Sequence, residues 1–315
     1  MAIHDSSAAA GATCSTATGP WYADTASYVT ARVASHRPIA TNTWRLRVEC
    51  PEIAAAATPG QFAMLRIPRR NDPLLARPLA VYDTFTDSAG GHDAAAERRY
   101  VDFLYAVHGR FTTALTEIAE GHDLVAWGPL GNGFAPPAVD HLVLVAGGIG
   151  QTALLALGRE RLGDAAYGAP PRTAPRARRV TCCWGARHAG LFGGIDDFRA
   201  AGIEVHQATL DGSAGLRGTV VDLLDHVFTT ESAGRTIPGA GTRIACCGPD
   251  PMMAAVAAWS AARGIGCDVS LEAPMACGIG ICFTCVARVR DSAGGWDYRR
   301  TCIEGPVFDA SRLVW

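Results

Sequence analysis

The chain of 315 residues carries a formal net charge of −2, with 49% hydrophobic and 18% charged residues. Such a length suggests about two domains, or three small ones, each able to bury an ordinary apolar core. The near-neutral balance gives no reason to expect a nucleic-acid partner or an anionic membrane. With no apolar run of about 18 residues, no membrane span is expected.

Residues 1–25 are rich in Ala, Ser, Thr and Gly. They lack the basic start and long apolar core of a secretory signal, which predicts a disordered tail. A strand-rich domain is expected over 26–137. Tyr28–Ser35, Thr43–Cys50, Gln61–Ile67, Leu79–Phe85, Tyr100–His108 and His122–Trp127 carry β-branched and aromatic residues with partial alternation. Turn residues such as Pro59 and Gly60 separate them. One helix interrupts, from Thr112 to about Ala119, and Asp87–Arg98 reads as an inserted surface loop. Short strands with a single helix predict a closed or nearly closed antiparallel barrel.

The rhythm changes over 138–270. His141–Ala146 is a nearly continuous apolar run, the signature of a buried parallel strand. Further strands are expected at Arg179–Trp184, Ile203–Thr209, Arg243–Cys247 and Cys267–Leu271. Helices are expected after Gly150 to about Arg161, then at Gly194–Ala201, Thr219–Phe228 and Pro251–Arg263. Alternating strand and helix predicts a parallel α/β sheet covered on both faces. Asp164–Arg178 and Glu231–Thr242 read as loops.

Residues 271–315 form a third, small module. Cys277, Cys282 and Cys285 stand in a C-x4-C-x2-C spacing, and Cys302 follows after a hairpin-like segment. This is the plant-type pattern for a [2Fe–2S] cluster. Each iron needs two thiolates; Gly278 and Gly280 let one short loop fold tightly and supply three of the four. Zinc sites more often use paired C-x2-C knuckles or histidine, a disulfide pair fits poorly without a secretory signal, and four plain buried thiols are the remaining alternative. The other cysteines, Cys14, Cys50, Cys182, Cys183, Cys246, Cys247 and Cys267, lie largely in apolar runs, as buried thiols in a reducing cytoplasm would.

Three more stretches are candidate sites. Gly147, Gly148 and Gly150, with Thr152, lie between a strand and a helix, where a helix start offers free N–H groups to a diphosphate. A tight turn without a ligand would look similar. Cys247, Gly248, Pro249 and Met252 lie at the carboxyl end of an expected strand, where open α/β sheets bind ligands; a plain strand-to-helix turn is the alternative. Arg77, Pro78, Leu79 and Ala80 could clamp a phosphate and lay backbone groups beside a flat heterocycle, although a lone Arg-Pro is more often just surface. No acidic residue follows Trp184 as an NAD-preferring ribose site often requires. Arg187 stands there instead, so NADP is not excluded by the residues.

Together these residues resemble the electron-transfer subunits of class 1B dihydroorotate dehydrogenase, a branch of the ferredoxin–NADP reductase superfamily, from about Tyr28 to Trp315. The most specific part runs from Leu271 to Cys285 and resumes from Thr301 to Phe308. Residues 128–134 and the loop from Asp211 to Gly218 are similar to the family as well. The resemblance implies FAD in the barrel, held by Arg77 to Ala80, lined by Leu104, Tyr105 and Ala106, with its diphosphate near Phe111 and Thr112. It implies NAD on the α/β domain, and a cluster held by Cys277, Cys282, Cys285 and Cys302. Two departures stand out: the family commonly has Ser where Ala80 stands and Gly where Phe111 stands. The implied activity is NAD-linked transfer of electrons to or from a separate FMN-containing dihydroorotate dehydrogenase subunit of pyrimidine biosynthesis, in a cytoplasmic heterotetramer. Alternatives are a reductase subunit serving ferredoxin, sulfide or hydrogenase chemistry, and a zinc-bearing interaction module on an inactive reductase fold.

Overall fold

The computed structural model describes residues 22–92, 96–231 and 241–315. Residues 1–21 of the expected tail, Cys14 among them, lie outside the described residues; Tyr22–Thr25 at its end form a 3-10 turn. Residues 93–95 and 232–240, parts of two expected loops, lie outside as well.

The first sheet contains β1 (Ser27–Ala40), β2 (Thr43–Glu49), β3 (Phe62–Arg66), β4 (Arg77–Ala80), β5 (Asp83–Phe85), β6 (Tyr100–Ala106) and β7 (Asp123–Leu130). Helix α1 (Pro51–Ala56) follows β2 and α2 (Gly109–Leu115) follows β6. The strand order is β4-β3-β7-β1-β2-β6-β5, antiparallel throughout. β4 and β5 are therefore opposite edges, yet only Val81 and Tyr82 separate them in the chain. Val81 N donates to Gln61 O and Tyr82 N to Asp102 O, both at 2.9 Å. The chain thus changes partner between adjacent residues, and the sheet has to curl until its two edges come near each other. The result is a nearly closed barrel whose edge strands β4 and β5 are not paired with one another. The expected single strand Leu79–Phe85 is this pair of edge strands.

Two other boundaries differ from expectation. β1 continues through Pro38 because its register with β2 shifts between Val33 and Ser35 and again between Pro38 and Ala40, so the ladder tolerates a residue without an N–H. The short helix α1 was not expected; its six residues begin at Pro51, a residue suited to a first helical turn. Leu46, Val48, Val101, Phe103 and Leu124 fill the barrel with no more than 1% exposure.

The second sheet contains β8 (His141–Gly147), β9 (Arg179–Ala186), β10 (Glu204–Thr209), β11 (Leu216–Arg217), β12 (Thr242–Cys247) and β13 (Gly266–Ser270), all parallel. A 3-10 turn at Gly148–Ala153 and helix α3 (Leu155–Leu162) follow β8; α4 (Ile195–Ala200), α5 (Val220–Glu231) and α6 (Asp250–Ala261) make later crossovers. Every residue of β8 is buried, as its unbroken apolar run requires. The chain order reverses between β8 and β12. Beyond β13 come the hairpin β14 (Val286–Arg290) and β15 (Trp296–Arg300), then β16 (Val307–Asp309), which returns to pair antiparallel with β13. Among the described residues no helix is long and apolar enough to cross a membrane.

Candidate redox site

The reversal of strand order at β8 and β12 opens a crevice at their carboxyl ends, the place where open α/β sheets bind ligands. The glycines there have distinct tasks. A Cβ on Gly147 would lie 2.4 Å from Met252 Sδ, and one on Gly150 would lie 2.3 Å from Cys247 O. These two glycines let the turn after β8 press against the turn after β12. Gly248, at φ +155°, meets the same contact from the other side, with Gly147 Cα 3.0 Å from where its Cβ would be. Gly148 differs: at φ +55° it has no atom within 4 Å of a Cβ position, so it faces open space. Trp184 Nε1 donates to Gly148 O at 2.9 Å and braces the turn.

The crevice continues into the barrel as one cleft of about 1120 Å³. Its barrel wall includes Pro78, Leu79, Ala80, Leu104, Tyr105, Ala106 and Thr112; its sheet wall includes Gly147, Gly148, Thr152, Cys247, Pro249 and Met252. Arg77, Phe111, Gly150 and Gly248 do not line it. The Arg77 guanidinium turns onto Ala76 O at 2.9 Å. Phe111 is 3% exposed, its side chain in the barrel core. Beside it, His108 and Thr112 do face the cleft, and Gly109 starts α2 at φ +77° with open space around it. Thr41, Asn42, His108 and Glu272 line the cleft without having been singled out from the sequence. Asn42, at φ +51° in the β1–β2 turn, was the readable signal among them.

Two features of the wall suit a flavin. β4 is a sheet edge, bonded to β3 on one side only, so its outer backbone groups are free for a heterocycle. The lining nearby is apolar apart from a few polar groups, as cofactor clefts usually are. On the sheet side, Cys247 Sγ lies 3.9 Å from Glu272 Oε1, and burial pushes the thiol well above its usual range.

The four cysteines of the C-terminal module stand as two pairs. Cys277 lies beside Cys282, and Cys285 beside Cys302. Among the described residues no three His, Cys, Asp or Glu side chains converge on a point fit for one ion. Two pairs, each able to supply two thiolates to one iron, fit a binuclear cluster. The Thr284 hydroxyl and amide, with Cys277, hold the Cys282 thiol down at about 6. In the second pair Cys302 donates to Cys285, so Cys285 is lowered to about 6 and Cys302 is raised. Cys285 and Cys302 are buried while Cys282 is exposed.

The module sits directly on the barrel. Trp127 Nε1 of β7 donates to Cys277 O at 3.0 Å. Phe62, Met64, Ala76 and Leu130 of the barrel domain form one apolar cluster with Met275, Cys285, Cys302 and Ile303. A Cβ on Gly278 would lie 2.6 Å from Met64 Cγ, and one on Gly280 2.6 Å from Ile303 Cδ1. The loop glycines thus serve contact with the barrel and with the turn that carries Cys302.

Comparison with known proteins decides the family. Residues 272–314 match the family model for the iron–sulfur cluster binding domain of dihydroorotate dehydrogenase B. Over 286 residues the chain is 32% identical to the electron transfer subunit of dihydroorotate dehydrogenase B (NAD(+)) of Desulforamulus reducens, covering 90% of this chain and 97% of that one. The chain belongs to this family of electron transfer subunits. The subunit of Bacillus caldolyticus is also 32% identical over 285 residues, or 90% of this chain and 96% of its own length. Among solved structures, the NADH-dependent reduced ferredoxin–NADP oxidoreductase holds a chain of the same fold, with TM-score 0.68, 26% identity and 90% coverage of both. The barrel, the α/β sheet and the cluster module are thus the family's shared architecture, running almost the full length of its members.

Proposed function

We propose that this chain carries electrons between NAD(H) and a partner subunit, through FAD in the barrel and a [2Fe–2S] cluster in the C-terminal module. The carrying observation is the single cleft that joins β4, the β8 turn and the β12 turn, with the paired cysteines one apolar layer behind the barrel wall. Bound FAD supplies the conversion between hydride and single-electron chemistry that a nicotinamide and an iron–sulfur centre require.

The residues divide the work. The free edge of β4 and the β6 segment Leu104 to Ala106, which lines the cleft, would hold and orient the isoalloxazine; the Tyr105 side chain itself packs in the barrel core with its hydroxyl on His36 Nε2. Arg77, whose guanidinium meets only main-chain carbonyls, is free to swing to the FAD diphosphate. Gly148 leaves space for the nicotinamide dinucleotide, and Pro249 and Met252 close that side. Cys277 with Cys282 and Cys285 with Cys302 hold the two irons. Met64, Leu130, Met275 and Ile303 keep water from the inner pair. The partner in this reading is an FMN-containing dihydroorotate dehydrogenase subunit in a cytoplasmic heterotetramer; what supports a partner is that the relatives this chain matches are named as electron transfer subunits of dihydroorotate dehydrogenase B.

An absorbance spectrum of the purified chain should show flavin and iron–sulfur bands, and NADH should drive reduction of an artificial dye. Dihydroorotate oxidation should require the added FMN subunit. Orotate formation by the isolated chain, or a colourless protein, overturns the reading. Arg77→Ala should weaken FAD binding by about 1.5–3 kcal/mol, the usual worth of a charge-assisted bond. An unaltered flavin affinity removes Arg77 from the site.

A further inference from the structure

We infer that the polar bridges joining the barrel to the α/β domain, the buried Asp83 with Arg159 and the partly buried Asp197 with Arg45 and Tyr82, are positioning residues that set the flavin strand against the nicotinamide turn. The inference rests on the functional reading above.

Asp83 of β5 and Asp102 of β6 stand directly opposite each other in the ladder, and both are fully buried. Like charges at such a pair repel, so each needs its own cation. Asp102 finds one inside the barrel: Arg47 Nε and Nη2 donate to its two oxygens at 2.6 and 2.9 Å. Asp83 finds one across the domain seam. Arg159 Nη1 of α3 donates to Asp83 Oδ2 at 2.8 Å, and the Tyr167 hydroxyl donates to Oδ1 at 2.7 Å. The seam is also bridged in the other direction. Asp197 of α4 accepts from Arg45 Nη2 of β2 and, at 2.7 Å, from the Tyr82 hydroxyl. Each domain therefore presents a carboxylate that accepts from side chains of the other, and Thr84 N adds a main-chain bond to Asp83 Oδ1 at 2.8 Å.

Such bonds give the seam one register. Apolar faces can slide by fractions of an ångström, whereas directional bonds to buried charges cannot without stranding a charge. The residues concerned also flank the cleft walls. Tyr82 and Asp83 follow Ala80, the end of β4, after a single intervening residue. Arg159 lies on α3, the helix that continues from the turn beginning at Gly148. One short strand segment thus links the flavin side of the cleft to the nicotinamide side. Transfer between two bound groups is sensitive to such placement, with about 1 Å of error reducing it on the order of a hundredfold. The apolar contact between barrel and cysteines, through Phe62, Met64 and Leu130, does not involve the seam.

The test compares the FAD- and iron-loaded chain with Asp83→Asn and with the milder Tyr82→Phe, which removes one oxygen and serves if Asp83→Asn does not fold. Three quantities are read: flavin bleaching by saturating NADH (one hydride, hence two electrons, leaving NAD⁺), cluster reduction after photoreduction of the flavin, and amide hydrogen exchange. Bleaching per bound flavin should slow by about tenfold or more in Asp83→Asn and severalfold in Tyr82→Phe, the range that small misplacement produces. Flavin-to-cluster transfer should be unchanged. Amides in residues 81–84 and 155–162 should exchange faster while β3 and β7 keep their protection. Equal bleaching rates in the parent and both variants, or slower bleaching matched by an equal slowing of cluster reduction, overturn the inference. A flavin-bearing parent that NADH does not bleach overturns the functional reading, and the positioning role with it.

Discussion

Two of the glycine-bearing loops, residues 147–150 and 277–280, use glycine for different reasons. In the cluster loop each glycine has both a positive φ and a crowded Cβ position: Gly278 at φ +73° against Met64, Gly280 at φ +80° against Ile303. In the nicotinamide turn the two demands are separated. Gly147 and Gly150 are needed for space, while Gly148 is needed for its φ of +55° and stands in the open. In the loop proposed to bind its group covalently both glycines are packed against neighbours, whereas the turn proposed to receive an exchangeable ligand leaves one facing out.

The contrast is broken most severely at the cysteines. Cys282→Ser removes one of two thiolates from an exposed pair, so iron and labile sulfide should be lost while most flavin remains. Elemental analysis and the visible spectrum check this. Iron and sulfide at parental levels in the variant would falsify the ligand assignment.

Gly150→Ala probes the crowded side of the nicotinamide turn. Its Cβ would meet Cys247 O at 2.3 Å and Gly248 N at 2.8 Å, both backbone atoms at the end of a central strand. Neither can move without shifting β12, so a loss of about 1–3 kcal/mol in stability is expected, as for overpacking generally. NADH should bind more weakly because the two turns separate, while iron content stays parental. A thermal melt with NADH titration of flavin bleaching measures both effects. Unchanged melting and NADH affinity would show that the turn has slack that the present contacts exclude.

How far the sequence disclosed all this depended on the range of the interaction. The cysteine spacing was legible because covalent ligation within one loop dictates it, and β8 was legible because burial on both faces leaves no place for a polar residue. The break between β4 and β5 was hidden: Leu79–Phe85 contains no Gly, Pro or Asn, and the change of partner at Val81 and Tyr82 depends on strands far away in the chain. The ion pairs of the seam were hidden for the same reason, since Asp83 and Arg159 are 76 residues apart and Tyr82 and Asp197 are 115 apart. At α2 the family resemblance drew attention to Phe111, whereas the open glycine is Gly109, two residues earlier, because the helix begins there and not at Thr112. Local chemistry can be read from local sequence, but the relative placement of two domains cannot.

The smallest expected effect is the most specific to the open side of the turn. Gly148→Ala introduces no clash, because nothing lies within 4 Å of the added carbon. What remains is the backbone: a non-glycine residue at φ +55° loses roughly 1–2 kcal/mol relative to its preferred conformations. If Gly148 were only a turn residue, that loss would appear in the thermal melt and nowhere else. If the open side is where the dinucleotide approaches, the new methyl group occupies the same space, and NADH affinity should fall by more than the stability change explains. Substituting Gly148 by Asn separates the two, since Asn tolerates the left-handed region yet projects further into the cleft. Its melt should lie closer to the parent than that of Gly148→Ala, while its NADH affinity should be lower still. The opposite order, with Asn restoring both stability and NADH binding, would assign Gly148 to the turn alone and move the ligand toward Pro249 and Met252.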